Sequence, residues 1–123
     1  MEGEVLRISS YKELEVWKRS MDLVEIIYKI TQQFPQSEMY GMVSQLKRAS
    51  VSVPSNIAEG ASRQSTKEFI QFLNLANGSL SEIETLLELA IRLNYLENNN
   101  LQPHINHIRS MIFGLIKALR KKL

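Results

Sequence analysis

Apolar residues at helical spacing run through almost the whole chain, and this period limits the possible fold more than any other feature. The clearest case is the last segment, where apolar side chains alternate at steps of four and three: Leu101, Ile105, Ile108, Ile112, Leu115 and Leu119. This spacing is typical of the seam of a helical bundle. No segment has the two-residue period of a β-strand. The sequence therefore predicts an all-α fold.

The first helix is predicted to begin just before Tyr11. Ser10 and Glu13 form an S-x-x-E capping box there, and Phe34-Pro35 ends the pattern because a residue before proline avoids helical angles. The apolar residues of this helix cover a wide arc, which a helix on the rim of a small monomeric bundle does not need. The breadth of the arc points to a second buried contact, with another subunit.

The second and third helices are predicted over about residues 38–61 and from Thr66 onward. Ser65 and Glu68 repeat the capping box at the start of the third helix. Gly78 lies in the middle of that helix, where a glycine costs about 1 kcal/mol relative to alanine. We interpret Gly78 as a point at which another backbone comes close.

The fourth helix completes the predicted bundle. Asn100 is placed to cap it, and Pro103 is tolerated in its first turn. Four helices with short loops predict an antiparallel up-down-up-down four-helix bundle, formed as a single domain over residues 10–123. Residues 1–9 have no apolar period and are predicted to be a flexible segment.

The segment from Ser44 to Arg63 combines a helical period with an internal proline. Pro54 lacks a backbone donor, so it is predicted to bend the second helix and to free the carbonyl group of Ser50. Beside an apolar stripe runs a polar stripe, which consists of Gln45, Arg48, Ser52, Asn56, Glu59 and Arg63.

Two uses of this polar stripe remain open at the level of sequence. Asn56 could bond the carbonyl group that Pro54 frees, and Glu59 could pair with Arg63 across one helical turn. In that case the segment holds a structural motif, consisting of Pro54, Asn56, Glu59 and Gly60. Alternatively, the arginine and asparagine side chains on this face could bind phosphate groups.

The composition is that of one globular domain, with 123 residues of which 44% are hydrophobic and 23% charged. The absence of cysteine excludes disulfides and thiolate metal sites and favours an intracellular compartment. The beginning of the chain is acidic and unlike a signal peptide, and no apolar run approaches the roughly 20 residues that span a bilayer. We expect a cytoplasmic protein without a membrane contact.

The net charge is only +2, but basic residues gather at the C-terminal end. No acidic residue follows Glu97, whereas five basic residues do: Arg109, Lys117, Arg120, Lys121 and Lys122. A basic last turn complements the helix dipole and favours solubility. The same cluster would also suit a polyanionic ligand.

Catalysis needs a positioned nucleophile, base or metal, and the sequence offers no such set. His104 and His107 have no acidic neighbour, so we interpret them as partly exposed side chains. Glu82, Glu84 and Glu88 are interpreted as a solvated face, and no phosphate-binding glycine motif occurs. Four aromatic residues at helical spacing are assigned to the core rather than to base stacking: Tyr11, Trp17, Phe69 and Phe72. We expect neither an enzyme nor a metal, another cofactor or a small-molecule substrate.

Three runs of the sequence resemble one protein family: YKELEVWKRSMDLVEIIYKIT, FPQSEMYGMVSQLKRASVSVPSNIAEGASR and EFIQFLNLANGSLSEIETLLELA. The most specific part is the block QLKRASVSVPSNIAEG, followed by Arg63, because a long block with an internal proline seldom arises by chance. Over about residues 11–120 the chain resembles the four-helix-bundle proteins encoded in intervening sequences of 23S ribosomal RNA genes.

The resemblance implies an antiparallel four-helix bundle and a homopentameric ring, as in the related accessory variability determinant of diversity-generating retroelements. That relative is basic and associates with nucleic acid and with a reverse transcriptase. Because the net charge here is only +2, a nucleic-acid site must come from local clustering of basic residues, multiplied by a ring of subunits.

We therefore expect a non-enzymatic homo-oligomer that binds structured RNA, such as ribosomal RNA, or another nucleic acid. Phosphate contacts would make the binding salt-sensitive and weakly sequence-specific. The expected contacts form two patches, the first with Lys47, Arg48, Arg63 and Lys67, the second with Lys117, Arg120, Lys121 and Lys122. The alternative is a structural or protein-interaction scaffold, whose first and second helices make subunit contacts without nucleic acid.

Overall fold

A computed structural model of the protein describes residues 10–123, and four α-helices occupy most of that range. They are α1 (Glu15–Ile30), α2 (Met42–Ala61), α3 (Thr66–Arg92) and α4 (Gln102–Arg120). The described part of the chain contains no β-strand, so the predicted all-α class is confirmed. The flexible segment predicted over residues 1–9 lies outside the described residues.

The four helices surround one apolar core. Each helix packs against the next in the sequence, and α4 also packs against α1. The core is mainly aliphatic, and it includes Leu23, Leu46, Leu73 and Ile108, one from each helix, all fully shielded from solvent. The helical bundle is therefore confirmed.

Side-chain contacts show how the helices run past one another. Ser52 and Gly60 on α2 lie beside Ser79 and Phe72 on α3, so residue numbers rise along one helix as they fall along the other. The α1–α2 and α3–α4 connections meet, because Phe34 in the first packs against Tyr95 in the second, with ring centroids 5.6 Å apart. Both observations are consistent with the predicted up-down-up-down order.

The first helix begins later than its capping box predicts. Ser10 caps only a 3-10 turn, Tyr11–Glu13, and its hydroxyl oxygen accepts a hydrogen bond from the Lys12 backbone N–H at 3.1 Å. Leu14 then has an extended backbone, and α1 starts at Glu15. The predicted start is wrong by four residues because this interruption allows Leu14 to pack against the core.

The second helix also begins later than predicted, at Met42. A 3-10 turn, Gln36–Glu38, precedes it, and Oε1 of Glu38 accepts a hydrogen bond from the Met42 backbone N–H at 3.1 Å. Gly41 lies between them, and a Cβ there would come within 2.8 Å of the same Glu38 oxygen. Glu38 therefore accepts a hydrogen bond from the first backbone N–H of α2 and is not its first residue, whereas Gly41 occupies the N-cap position.

The predicted cap of α4 is wrong, because Leu101 and not Asn100 occupies the N-cap position, without a side-chain capping hydrogen bond. Oδ1 of Asn99, not the side chain of Asn100, accepts a hydrogen bond from the Leu101 backbone N–H at 3.0 Å. Pro103 lies in the first turn, as predicted. In the apolar seam, Ile116 is buried and Leu115 only partly so, because the helix periodicity of 3.6 turns Ile116 further toward the core.

No other helix of the described chain comes close to Gly78, and Gly60 is the glycine at which two helices meet closely. Gly78 is exposed, and a Cβ there would have no neighbouring atom within 4 Å. At Gly60 a Cβ would lie 2.7 Å from Cβ of Phe72 and 3.0 Å from Cδ1 of Phe69, both on α3. A spacing pattern identifies a glycine within a helix but not the side of the helix that faces a neighbour.

Helix α2 continues through Pro54, whose side chain is buried. The bend at Pro54 stays a prediction. Among the described residues, no helix is long and apolar enough to cross a membrane.

Candidate functional site

The centre of the polar stripe on α2 is turned toward α3. The Ser52 hydroxyl group donates a hydrogen bond to the Ser79 hydroxyl group, and Nδ2 of Asn56 donates to the Ser52 carbonyl oxygen at 2.8 Å. The predicted bond from Asn56 to the Ser50 carbonyl group is wrong, because an asparagine side chain in a helix reaches back by four residues. The hydrogen bond of Ser52, in the middle of the stripe, thus connects α2 to α3.

Arg63, just beyond the end of α2, forms the predicted ion pair with Glu59. Nη2 of Arg63 lies 2.9 Å from Oε2 of Glu59. The guanidinium group also lies over the ring of Phe72, 5.0 Å from its centroid. The Arg63 side chain remains 43% exposed, so it is accessible to a ligand while these contacts orient it.

The basic residues near the start of α2 do not gather with Arg63. Nζ of Lys47 lies 4.7 Å from the centroid of the Tyr28 ring on α1. Arg48 is exposed and precedes Arg63 by about four helical turns, which is about 22 Å along the axis. The first predicted patch is therefore divided between the two ends of α2.

Lys47 belongs to an exposed face that also carries apolar side chains. Met21 and Tyr28 on α1 are exposed, as is Val51, one turn after Lys47 on α2. We call these four residues the α1–α2 face. Part of the wide apolar arc of the first helix therefore lies at the surface of the single chain.

A row of residues on α3 faces a second row on α4. Asn74 and Ser81 are seven residues apart on α3, as are Asn106 and Phe113 on α4, and steps of seven return to the same side of a helix. We call the space between the rows the α3–α4 groove, which is lined by Asn74, Asn77, Ser81, Glu84, Gln102, Asn106, Arg109, Phe113, Lys117 and Arg120.

At the end of the groove near the α3–α4 connection, Arg109 is neutralised by Glu84. Nη2 of Arg109 lies 2.7 Å from Oε1 of Glu84, and Nη1 donates to Oε2 at 3.1 Å. The remaining donors reach Oδ1 of Asn77 at 2.9 Å and the Ser81 hydroxyl oxygen at 3.3 Å. The two charged side chains are only 21% and 27% exposed, so this pair braces α4 against α3.

Glu84 is therefore not part of a solvated face, contrary to the sequence interpretation. The hydrogen bond from Arg109 lowers the pKa of the Glu84 carboxyl group from its usual value of 4.5, and a hydrogen bond from Gln102 adds to the effect, while partial burial opposes it. Gln102 also donates to Oδ1 of Asn106 at 2.9 Å. This network escaped the sequence analysis, although polar residues at steps of three, four and seven on two consecutive helices were a signal for it.

The opposite end of the groove is positively charged. A shallow cleft of about 330 Å³ is lined there by Asn74, Phe113, Ile116, Lys117 and Arg120. Lys67 is seven residues before Asn74 and so lies on the same side of α3, about 10 Å nearer its start. The structure therefore brings Lys117 and Arg120 toward Lys67, with Lys121 and Lys122 following at the end of α4.

Aromatic residues divide between the core and the surface. Phe69 is buried as predicted, whereas Trp17 is half-buried and packs edge-on against Tyr11, with ring centroids 5.4 Å apart. Phe113 is 50% exposed, at the basic end of the groove. Phe113 was not among the expected site residues, although its position off the apolar seam of the last helix was a signal for it.

The two connections are joined by a carboxylate. Oε2 of Glu38 accepts a hydrogen bond from the Tyr95 hydroxyl group at 2.9 Å. The Met42 backbone N–H and then Tyr95 lower the pKa of Glu38, and the bond to Glu38 raises the pKa of Tyr95 above its usual value of 10.0. A cleft of about 710 Å³ nearby is lined by Ile26, Ile30, Leu87 and Ile91 with the residues 94–101. Among the residues that line this cleft, Glu97 is the only charged one.

Histidines are not gathered with acidic side chains. Nε2 of His104 lies 3.2 Å from the carbonyl oxygen of Arg19, a contact between α4 and α1. Within residues 10–123 no group of three or more histidine, aspartate or glutamate side chains is arranged to hold a metal ion.

Comparisons with known proteins agree on one family. The model of the 23S rRNA-intervening sequence protein family matches residues 12–116. The chain is also similar to a crystal structure from Bacteroides thetaiotaomicron, described as a protein with unknown function from the S23 ribosomal protein family. The two are 28% identical, the match covers 85% of this chain and 94% of that one, and the TM-score is 0.58. None of the curated proteins compared with the chain matches it. The family match spans well over half of the chain, which therefore belongs to the 23S rRNA-intervening sequence protein family.

Proposed function

We propose that this protein is a non-enzymatic, homo-oligomeric RNA-binding protein that contacts phosphate groups at the basic end of its α3–α4 groove. The single observation that carries the proposal is the position of Lys117 and Arg120. Both line one cleft with Asn74, and Lys67 lies on the same side of α3. Cations that lie close together raise the local potential even when the net charge is small.

The pairing of charges elsewhere supports this choice of surface. Arg109 is engaged by Glu84, and Arg63 is held by Glu59. Lys117, Arg120, Lys121 and Lys122 follow the last acidic residue, Glu97, so no acidic side chain lies beside them in the sequence. Structured RNA fits as the ligand because its phosphate spacing presents several charges to one such surface. The family name, which refers to 23S ribosomal RNA, points the same way.

Homo-oligomerisation is supported by the α1–α2 face. Exposed Met21, Tyr28 and Val51 form an apolar surface on two neighbouring helices, and such a surface favours burial against a second copy. In a ring of subunits the basic ends of several grooves would act together, so modest contacts per subunit would add up to tight binding. The protein would work in the cytoplasm, where ribosomal RNA is found.

A scaffold without nucleic acid is the competing function, favoured by the same apolar face. A salt series separates the two. Binding of a structured RNA should weaken steeply between about 50 and 200 mM salt. When the logarithm of the binding constant is plotted against the logarithm of the salt concentration, each phosphate contact should make the slope more negative by roughly 0.7 to 0.9.

The variant Lys117→Gln/Arg120→Gln should bind more weakly and lower that slope. The matched control is Lys29→Gln/Arg92→Gln, which removes two exposed cations near the ends of α1 and α3. Circular dichroism and light scattering should verify that both variants keep their helices and their assembly. If the unmodified protein does not bind RNA at about 50 mM salt, the scaffold function replaces RNA binding; equal binding by both variants would move the site elsewhere.

A further inference from the structure

We propose that the basic end of the α3–α4 groove binds an unpaired nucleotide, whose base stacks on Phe113 while its phosphate groups contact Lys117 and Arg120. This inference rests on the proposed RNA binding and names the form of RNA that the site prefers. Its starting point is the juxtaposition of a half-exposed aromatic ring, an amide and two cations in one cleft of about 330 Å³.

The exposure of Phe113 distinguishes it from the other phenylalanines. Its side chain is 50% exposed, whereas Phe34 and Phe69 are buried and Phe72 lies beneath the guanidinium group of Arg63. An aromatic ring with one accessible surface offers a nucleobase a stacking partner, and such stacking is sequence-tolerant because every base has a π-face. Phe113 lies on α4 directly after Ile112, which is in the core.

The charges around Phe113 are suited to a nucleotide rather than to an apolar ligand. Lys117 is one turn after Phe113, and Arg120 follows nearly one turn later on the same side of α4. On the opposite wall Asn74 supplies an amide, which can donate and accept hydrogen bonds at a base edge or a ribose hydroxyl group. Ile116 forms an apolar floor.

The ion pair between Arg109 and Glu84, further along the groove, limits the positively charged region to this end. Arg109, one turn before Phe113, has its charge balanced by Glu84, and its donors are taken up by Asn77 and Ser81. Phosphate groups are therefore attracted toward Lys117 and Arg120 and not toward Arg109. The base is thereby placed beside Phe113, between the neutral and the basic part of the groove.

An unpaired nucleotide fits this site better than a duplex. In an A-form helix the bases are stacked on each other, so a side chain on a shallow surface cannot reach their faces. A base in a loop, bulge or single strand can leave its neighbours and stack on a protein ring. The size of the cleft suits one such base.

The test compares a single strand of about 12 nucleotides, within the range that one binding surface covers, with a duplex of the same sequence. The single strand carries 2-aminopurine at one position, whose fluorescence falls on stacking. The full chain should bind the single strand more tightly than the duplex and quench the probe. Phe113→Leu should weaken binding of the single strand about tenfold, remove the quenching and leave the salt slope unchanged, because no charge is lost.

Leu75→Ala is the matched control. Leu75 on α3 is an exposed apolar residue, as Phe113 is on α4, but it follows Asn74 and so points away from the groove. It should bind the single strand like the unmodified protein.

Unchanged affinity and quenching in Phe113→Leu, or tighter binding of the duplex, would overturn the inference while the proposed RNA binding stands. A changed mass of Phe113→Leu in light scattering would also overturn it, since Phe113 would then be a subunit contact. Failure of both RNA forms to bind the unmodified protein would remove the proposed function itself.

Discussion

Gly60 is the residue at which the absence of a side chain sets the distance between two helices. Its Cα faces Phe69 and Phe72 on α3, and no rotation of either ring removes the contact with Cβ of Phe72 or with the Phe69 carbonyl oxygen, which a Cβ would approach to 2.7 Å and 3.3 Å. Any added atom must therefore move a backbone. Gly60 also follows Glu59 directly, so a shift of α2 there would displace the ion pair with Arg63.

We expect Gly60→Ala to lower the free energy of unfolding by about 1–3 kcal/mol, the usual cost of overpacking. Gly78→Ala is the control, because its new methyl group meets no atom within 4 Å and alanine favours a helix by up to about 1 kcal/mol. Urea denaturation followed by circular dichroism measures both. Equal effects of the two substitutions would contradict the close approach at Gly60.

Glu38 is a second residue that connects separate parts of the chain. Its two carboxylate oxygens accept hydrogen bonds from the Met42 backbone N–H and from the Tyr95 hydroxyl group. Both hydrogen bonds lower the pKa of Glu38, the one from Met42 more. A lowered carboxyl pKa stabilises the folded protein above the unfolded value of 4.5, and this stabilisation is lost as the pH falls through the lower folded value.

Tyr95→Phe should raise the pKa of Glu38 part of the way back toward 4.5, because the stronger hydrogen bond from Met42 remains. A titration of the Glu38 carboxyl carbon by NMR measures this shift. In the unmodified protein the Tyr95 phenol should ionise above pH 10.0, visible by ultraviolet absorbance. The stabilisation from its bond should be fully present below pH 10.0 and be lost as the pH rises further, through the raised pKa of the folded protein. An unchanged Glu38 titration in Tyr95→Phe would show that the two side chains do not interact in solution.

At the scale of the helices, α4 is held to α3 by one half-buried charge pair at one end of the groove. Bidentate geometry and limited exposure make Glu84–Arg109 stronger than a surface pair such as Glu59–Arg63, whose side chains are 54% and 43% exposed. The comparison matters for function, because the Glu84–Arg109 pair also fixes the position of the next turn of α4, which carries Phe113.

A double-mutant cycle with Glu84→Gln and Arg109→Gln should give a coupling energy of about 1–2 kcal/mol at pH 7. The same cycle at Glu59 and Arg63 should give less than about 0.5 kcal/mol. Because the pKa of Glu84 is lowered, its coupling should be complete above pH 4.5 and decline below it as the carboxylate becomes protonated. Urea unfolding at several pH values tests this; equal coupling in the two pairs would mean that the groove does not shield its charges.

At the scale of the whole molecule, the proposed function assigns assembly and RNA binding to two different surfaces. Met21, Tyr28 and Val51 of the α1–α2 face are exposed, and Lys47 lies over the Tyr28 ring. The basic end of the α3–α4 groove lies on other helices, so assembly through the first surface would leave the second accessible. The proposal therefore predicts that oligomerisation and RNA binding can be altered one at a time.

The variant Tyr28→Glu/Val51→Glu should lower the mass measured by light scattering, because a subunit interface would have to bury two unpaired charges. Leu89→Glu is the control, an exposed apolar residue on α3 away from the α1–α2 face. A loss of mass in the control alone would place the interface on α3. If the unmodified protein is a monomer at every concentration, the proposed assembly is wrong.

The sequence by itself determined the all-α class, the four helices, the capping box at Ser65 and the pair between Glu59 and Arg63, because these depend on residues three or four positions apart. The tertiary structure decided the helix starts at Glu15 and Met42, since these depend on contacts of Leu14 with the core and of Glu38 with a connection 57 residues away.

The candidate site followed the same division. The sequence identified the cations but placed Lys47 and Arg48 with Arg63, and it left Glu84 in a solvated face. Only the packing of α3 against α4 brought Glu84 to Arg109 and placed Phe113 beside Lys117 and Arg120. The physical reason is that a helical period tells which residues share one side of a helix, whereas the neighbour that this side meets depends on how the helices are arranged around the core.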